Sequence, residues 1–294
     1  MGIAFILWLA QLEQQPYKIA VNVDLVVLHT TVHDRRGQFV TDLKKENFQV
    51  YEDGIRQSIR VFKHEDSPVT VGLVIDHSGS MRTKMPEVIE AARTFVRASS
   101  VDDQMFVVNF NEKATLGLPA AIRFSNRVDQ LAGAISRSAT EGQTALYDAI
   151  AVAMNQLQSG IPNKKVLIVI SDGADNKSKR TLEDVLKMAE QTSTLIYTIG
   201  IFEPEDRDTN PRVLRSLASA TGGEAYFPHQ IAAVVADCER IARDIRHQYA
   251  IGYVSSQSAH PGDFHHRIRV TASSAERGKL TVRARSTYLA PGAK

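Results

Sequence analysis

Val69-Thr-Val-Gly-Leu-Val-Ile-Asp76-His-Ser78-Gly-Ser80-Met81 joins a mostly apolar, β-branched run to an acid, two hydroxyls and a glycine. An apolar run without polar alternation predicts a strand covered on both faces, as in a parallel α/β sheet. In such sheets ligands sit beyond the carboxyl ends of the strands, which is where Asp76, Ser78 and Ser80 fall. The Asp-x-Ser-x-Ser spacing sets one carboxylate and two neutral hydroxyls on alternating positions, so that all three can turn toward one point. Hard oxygen donors of this kind select Mg²⁺, Mn²⁺ or Ca²⁺ over zinc.

Two further segments supply what that loop lacks. Glu141-Gly-Gln-Thr144-Ala-Leu-Tyr-Asp148 sets a threonine hydroxyl directly before an apolar helical pattern. Lys165-Val-Leu-Ile-Val-Ile-Ser171-Asp172-Gly173 is a second buried-type strand ending in an acid. The three loops converge only if their strands are neighbours. Taken singly, Asp172-Gly173 is ordinary turn chemistry.

Asp76-x-Ser78-x-Ser80, Thr144 and Ser171-Asp172-Gly173, in this order, resemble the metal-ion-dependent adhesion site of the von Willebrand factor A, or integrin I-like, domain family. The resemblance runs from Ser67 to about Ile245. It implies that Asp76, Ser78, Ser80, Thr144 and Asp172 hold a divalent cation, with Mg²⁺ favoured and Mn²⁺ or Ca²⁺ as alternatives. It further implies a protein partner whose Asp or Glu completes the metal shell, and hence a binding or adhesion function rather than catalysis. His77 has no role in the family pattern and is expected to be solvated or packed. In integrin-like relatives the last helix moves when the metal site changes, which makes the helical pattern Ile231 to Arg246 a candidate switch.

Two rival functions are weighed beside this one. A scaffold would use the same metal structurally. A metal-dependent phosphotransferase or hydrolase would use Asp76 as nucleophile or His77 as base. The chain lacks a GxSxG elbow and a phosphate-cradling glycine loop, and Ser78 stands where the aspartyl phosphatase family carries a second acid.

At 294 residues, 43% of them hydrophobic, the chain is long enough to bury a sizeable core and to form two domains. The formal charge of +2 and the lack of a basic run or stripe argue against a nucleic-acid binder. The single cysteine, Cys238, excludes an intrachain disulfide and falls in a helical pattern as a small buried residue. Ile3 to Ala10 is too short to span a bilayer. It is similar to the apolar core of a signal peptide, although no Lys or Arg precedes it. A secreted or periplasmic location is therefore expected, with a cytoplasmic one as the alternative and residues 1–16 read as a signal or a tail.

From Ile19 the pattern alternates in twos, and Asp53-Gly54 between apolar runs predicts a hairpin. Residues 17–66 read as about four strands, with too little apolar surface to make a stable sandwich alone. Gln248 to Val254, His265 to Thr271 and Leu280 to Tyr288 read as three more. We expect 17–66 and 247–294 to build one β-sandwich, interrupted at 67–246 by a doubly wound, mainly parallel six-stranded α/β domain. His265 and His266 are expected as exposed strand residues rather than ligands.

Overall fold

The computed structural model describes residues 25–64, 66–202, 209–256 and 265–289. The apolar run Ile3 to Ala10 and the start of the expected first strand, Ile19 to Asp24, lie outside the described residues. In chain order the strands are β1 (Leu25–His33), β2 (Phe48–Glu52), β3 (Ile55–Gln57), β4 (Ile59–Lys63), β5 (Val69–Asp76), β6 (Gln104–Phe110) and β7 (Ala114–Leu116). They continue with β8 (Lys164–Ser171), β9 (Leu195–Gly200), β10 (Ala225–Tyr226), β11 (Tyr249–Val254), β12 (His265–Ala272), β13 (Thr281–Arg283) and β14 (Thr287–Leu289). The helices are α1 (Met85–Arg97), α2 (Val128–Ile135), α3 (Leu146–Leu157), α4 (Leu182–Thr192), α5 (Pro211–Thr221) and α6 (Ala233–Arg246).

The central sheet has six strands in the order β10-β9-β8-β5-β6-β7, parallel except at the β6–β7 edge. All eight residues of β5 are buried, because helices cover both faces of the sheet. Gly72 on β5 makes this packing fit: a Cβ there would stand 2.6 Å from both the Leu167 and Phe106 side chains. The helices begin where local chemistry lets them. Thr181 and Asp184 form a reciprocal capping box on α4, and Asn210 caps α5, which opens on Pro211 and ends at the left-handed Gly222.

The chain before β5 and the chain after α6 interlock. β1 lies between β11 and β13, β4 pairs with β11, and β2 pairs with β12, all antiparallel. The resulting four-stranded sheets, β13-β1-β11-β4 and β14-β12-β2-β3, share one apolar core that includes Leu28, Phe48, Val50, Tyr249, Ile251, Tyr253 and Tyr288. Neither end of the chain completes a sheet without the other.

Two expectations need correction. Leu280 to Tyr288 is not one strand: it breaks at residues 284–286, with β13 joining β1 and β14 joining β12. The chain crosses from one antiparallel sheet to the other there, and Ser286 turns its carbonyl to the Ile268 amide at 2.7 Å. His266 is not exposed. Strand alternation sends His265 outward and His266 inward, where it is 9% exposed, faces two carboxylates and stacks on Tyr288.

Candidate metal centre

β5 and β8 are hydrogen-bonded neighbours, so Asp76 and the Ser171-Asp172 pair emerge side by side at their carboxyl ends. A continuous set of hydrogen bonds then links the loops. Ser171 Oγ donates to Asp76 Oδ2 at 2.6 Å, and the Ser78 amide donates to Asp76 Oδ1 at 2.8 Å. Ser78 Oγ lies 3.2 Å from Ser80 Oγ, which donates to Asp172 Oδ2 at 2.6 Å. The Ala174 amide donates to the other oxygen of Asp172 at 3.0 Å. Asp76, Ser78 and Asp172 are all buried.

Thr144 reaches this cluster through its backbone neighbours. The Glu141 amide donates to the His77 carbonyl at 2.9 Å and the Gly79 amide to the Gly142 carbonyl at 3.2 Å. On the other side the amides of Asn176 and Lys177 both donate to the Thr144 carbonyl at 3.0 Å, and the Thr144 amide donates to Asn176 Oδ1 at 2.9 Å. The five sequence-predicted residues thus lie on three loops tied directly to one another.

The polar loop after Gly173 also caps α3, whose own N-cap residue, Ala145, offers no side-chain oxygen. Asp175 Oδ1 accepts from the Leu146 amide at 2.8 Å, and Ser178 Oγ accepts from the Asp148 amide at 3.1 Å. These amides are among those a helix start leaves unpaired. Gly173 permits the loop's sharp departure: its φ is +79°, and a Cβ there would stand 2.5 Å from the Asn210 carbonyl oxygen. Sequence reading missed the roles of Ser171, Asp175, Asn176 and Ser178. Only the closing position of Ser171 on β8 gave any signal.

Electrostatics set this cluster apart. Burial, and next the neighbouring Asp172 carboxylate, push the Asp76 carboxyl up to about 6, against the opposing hydrogen bonds from Ser171 and Ser78. Two acids held together out of water favour either a proton or a cation between them. The donors on offer are carboxylate and hydroxyl oxygens, a set that fits a hard divalent ion. His77 is buried, its Nδ1 lies 3.4 Å from Thr140 Oγ1, and burial lowers its pKa.

A doubly wound sheet with an acid and hydroxyl cluster at the carboxyl ends of its central strands has the architecture in which open α/β domains place their ligand sites. The family model for the von Willebrand factor type A domain matches residues 70–238, and the chain belongs to that family. No curated protein matches the chain in sequence. Among solved structures, a von Willebrand factor type A protein from Catenulispora acidiphila is 16% identical with a TM-score of 0.54, over 91% of this chain and 74% of its own. The von Willebrand factor domain of the type V pilus tip protein Mfa5 from Porphyromonas gingivalis is 14% identical with a TM-score of 0.52, over 61% and 95%. Proximal thread matrix protein 1 of the mussel byssus, with a zinc-occupied adhesion-type site, is 17% identical with a TM-score of 0.54, over 67% and 50%. At these identities the likeness is one of fold.

Proposed function

We propose that this chain is a metal-dependent protein-binding module. In this reading Asp76, Ser78, Ser80, Thr144 and Asp172 hold a divalent cation, with Mg²⁺ favoured, and an Asp or Glu of a protein partner completes its coordination. The observation that carries it is the linked set Ser171–Asp76–Ser78–Ser80–Asp172, which brings two mutually repelling carboxylates and three hydroxyls to one place. A bound ion would relieve that repulsion and supply a Lewis-acidic point for a partner carboxylate. Family membership supports interaction with protein ligands, and the role is taken as non-catalytic.

We assign residues 67–246 to the binding domain and residues 17–66 with 247–294 to a single β-sandwich around its ends, in line with the pairing of β1 with β11 and of β2 with β12. We also place the protein outside the cytoplasm, as the pilus-tip relative is. Calorimetric titration of the chelator-treated chain with Mg²⁺ and Mn²⁺ tests the metal reading. One saturable site, lost in Asp76→Ala, is expected; folded wild type that takes up neither ion rules the reading out.

A further inference from the structure

The antiparallel sheets carry a second group of ligand-type side chains, far in sequence from the loops above. β2 ends at Glu52, and Asp53-Gly54 turns the chain into β3 with both residues in the left-handed region, at φ of 50° and 85°. Two backbone-directed bonds lock this turn to the start of β12: the Asp53 amide donates to the Arg267 carbonyl at 2.9 Å, and the Arg267 amide donates to Asp53 Oδ1 at 2.8 Å. His266 Nδ1 is thereby set 2.7 Å from Asp53 Oδ2 and 3.4 Å from Glu52 Oε1. One ligand atom from each of the three residues lies within 4.8 Å of the other two.

We propose that Glu52, Asp53 and His266 form a transition-metal site, with Zn²⁺ as the fitting ion. Four-coordinate zinc has ligands at roughly 2.0–2.2 Å, which sets neighbouring ligand atoms roughly 3.3 Å apart. The histidine-to-Glu52 separation already has that value, and the half-exposed Asp53 carboxylate has only to swing back by roughly 0.5 Å. An imidazole nitrogen among carboxylates favours zinc over magnesium, the reverse of the all-oxygen loop cluster.

The surroundings hold these ligands in place. The His266 ring stacks on Tyr288 with centroids 5.1 Å apart, which fixes the plane in which Nδ1 faces the acids. Ser255 Oγ and Tyr288 Oη donate to Glu52 Oε1 at 2.6 and 3.2 Å and orient its carboxylate; the shorter Ser255 bond is of the outer-shell kind, and the longer Tyr288 bond has to yield its lone pair when Oε1 takes an ion. Glu52 is fully buried, whereas Asp53 keeps 35% of its side chain in solvent and so gives an ion a way in. Two carboxylates and a neutral imidazole around a divalent ion make a group of zero net charge, which burial tolerates.

The test uses the chelator-treated full chain carrying Asp76→Ala, so that the loop cluster does not contribute. Titration with Zn²⁺ is expected to give one equivalent bound and a raised melting temperature. Adding His266→Gln removes the binding, and adding Asp53→Asn, at a partly exposed position that leaves the core intact, weakens it tenfold or more. The proposal is overturned if the Asp76→Ala chain binds no Zn²⁺, or if its binding is unchanged by both added substitutions and so belongs to surface histidines. The Mg²⁺ titration of wild type against Asp76→Ala reads the loop site separately, so each site can fail without the other.

Discussion

Asp76 and Asp244 are both buried aspartates, and their surroundings treat them in opposite ways. Asp244, near the end of α6, is ion-paired with Arg283 of β13 and accepts a hydrogen bond from Thr31 of β1 at 2.7 Å. Gln248 extends the same network, donating to Thr31 Oγ1 and to the Tyr197 hydroxyl. What meets Asp76 is two serines and another carboxylate. A buried charge that carries its own counterion fastens parts of the fold together. One set against a like charge is left to be completed from outside.

The largest effect is expected from removing the counterion. Arg283→Met leaves Asp244 charged and buried, and losing one partner of such a pair costs about 3–5 kcal/mol. Because Asp244 links α6 to β1 and β13, denaturant unfolding should show a lower midpoint for the whole chain. A variant within about 1 kcal/mol of wild type would mean that Asp244 is solvated, and the contrast with Asp76 would collapse.

Asp76→Asn should have the opposite sign. The folded-state pKa of about 6 lies above the unfolded value of 3.8, so the ionised form is penalised in the fold. That penalty is absent below pH 3.8, grows as pH rises, and is complete above about 6. In chelator at pH 7 the substitution should stabilise the chain by about 1–3 kcal/mol, and the gain should vanish near pH 4. Mg²⁺ should raise the melting temperature of wild type only. Destabilisation at pH 7 would show that Asp76 is held as an internal ion pair is.

How much of this was legible in the sequence follows the same division. That the loops carrying Asp76, Ser78, Ser80, Thr144 and Asp172 come together was readable because each of these residues borders a local apolar pattern, where strands and helices hand over. The capping of α3 by Asp175 and Ser178 was not, since nothing near Ala145 says that a loop thirty residues later supplies its acceptors. His266 was misread for a related reason. Alternation predicts that one of two adjacent histidines points inward, yet only the register of β12 against β2 shows that Glu52 and Asp53 await it. The Asp244–Arg283 pair joins α6 to β13 and leaves no local trace.

A smaller pH effect is expected at His29 of β1. Burial, then the nearby Lys164 and Arg285, lower its pKa from 6.5 to about 3, so the fold holds it neutral. The depressed folded value means that stability is fully present above pH 6.5 and is lost as pH falls toward 3. His29 is only partly shielded from solvent, so His29→Gln should remove only about 1–2 kcal/mol of that acid loss, seen as a shallower fall in melting temperature between pH 6.5 and 4. An unchanged acid limb would mean that this histidine reaches water.

The smallest effect marks the solvated end of the comparison. Arg93 on α1 and Asp129 on α2 form a 3.0 Å ion pair, within direct hydrogen-bonding distance, but the aspartate side chain is 90% exposed. Water already solvates that carboxylate, so the guanidinium adds little and holding two side chains in register costs entropy. Arg93→Ala should therefore shift stability by less than about 0.5 kcal/mol, and the small change should disappear in high salt. A salt-independent loss near that of Arg283→Met would show that distance alone ranks these pairs. The expected ranking instead follows how far each carboxylate has been taken from water, and of the two buried ones Asp76, set against Asp172 rather than an arginine, is the acid to which an ion from solution has the most to offer.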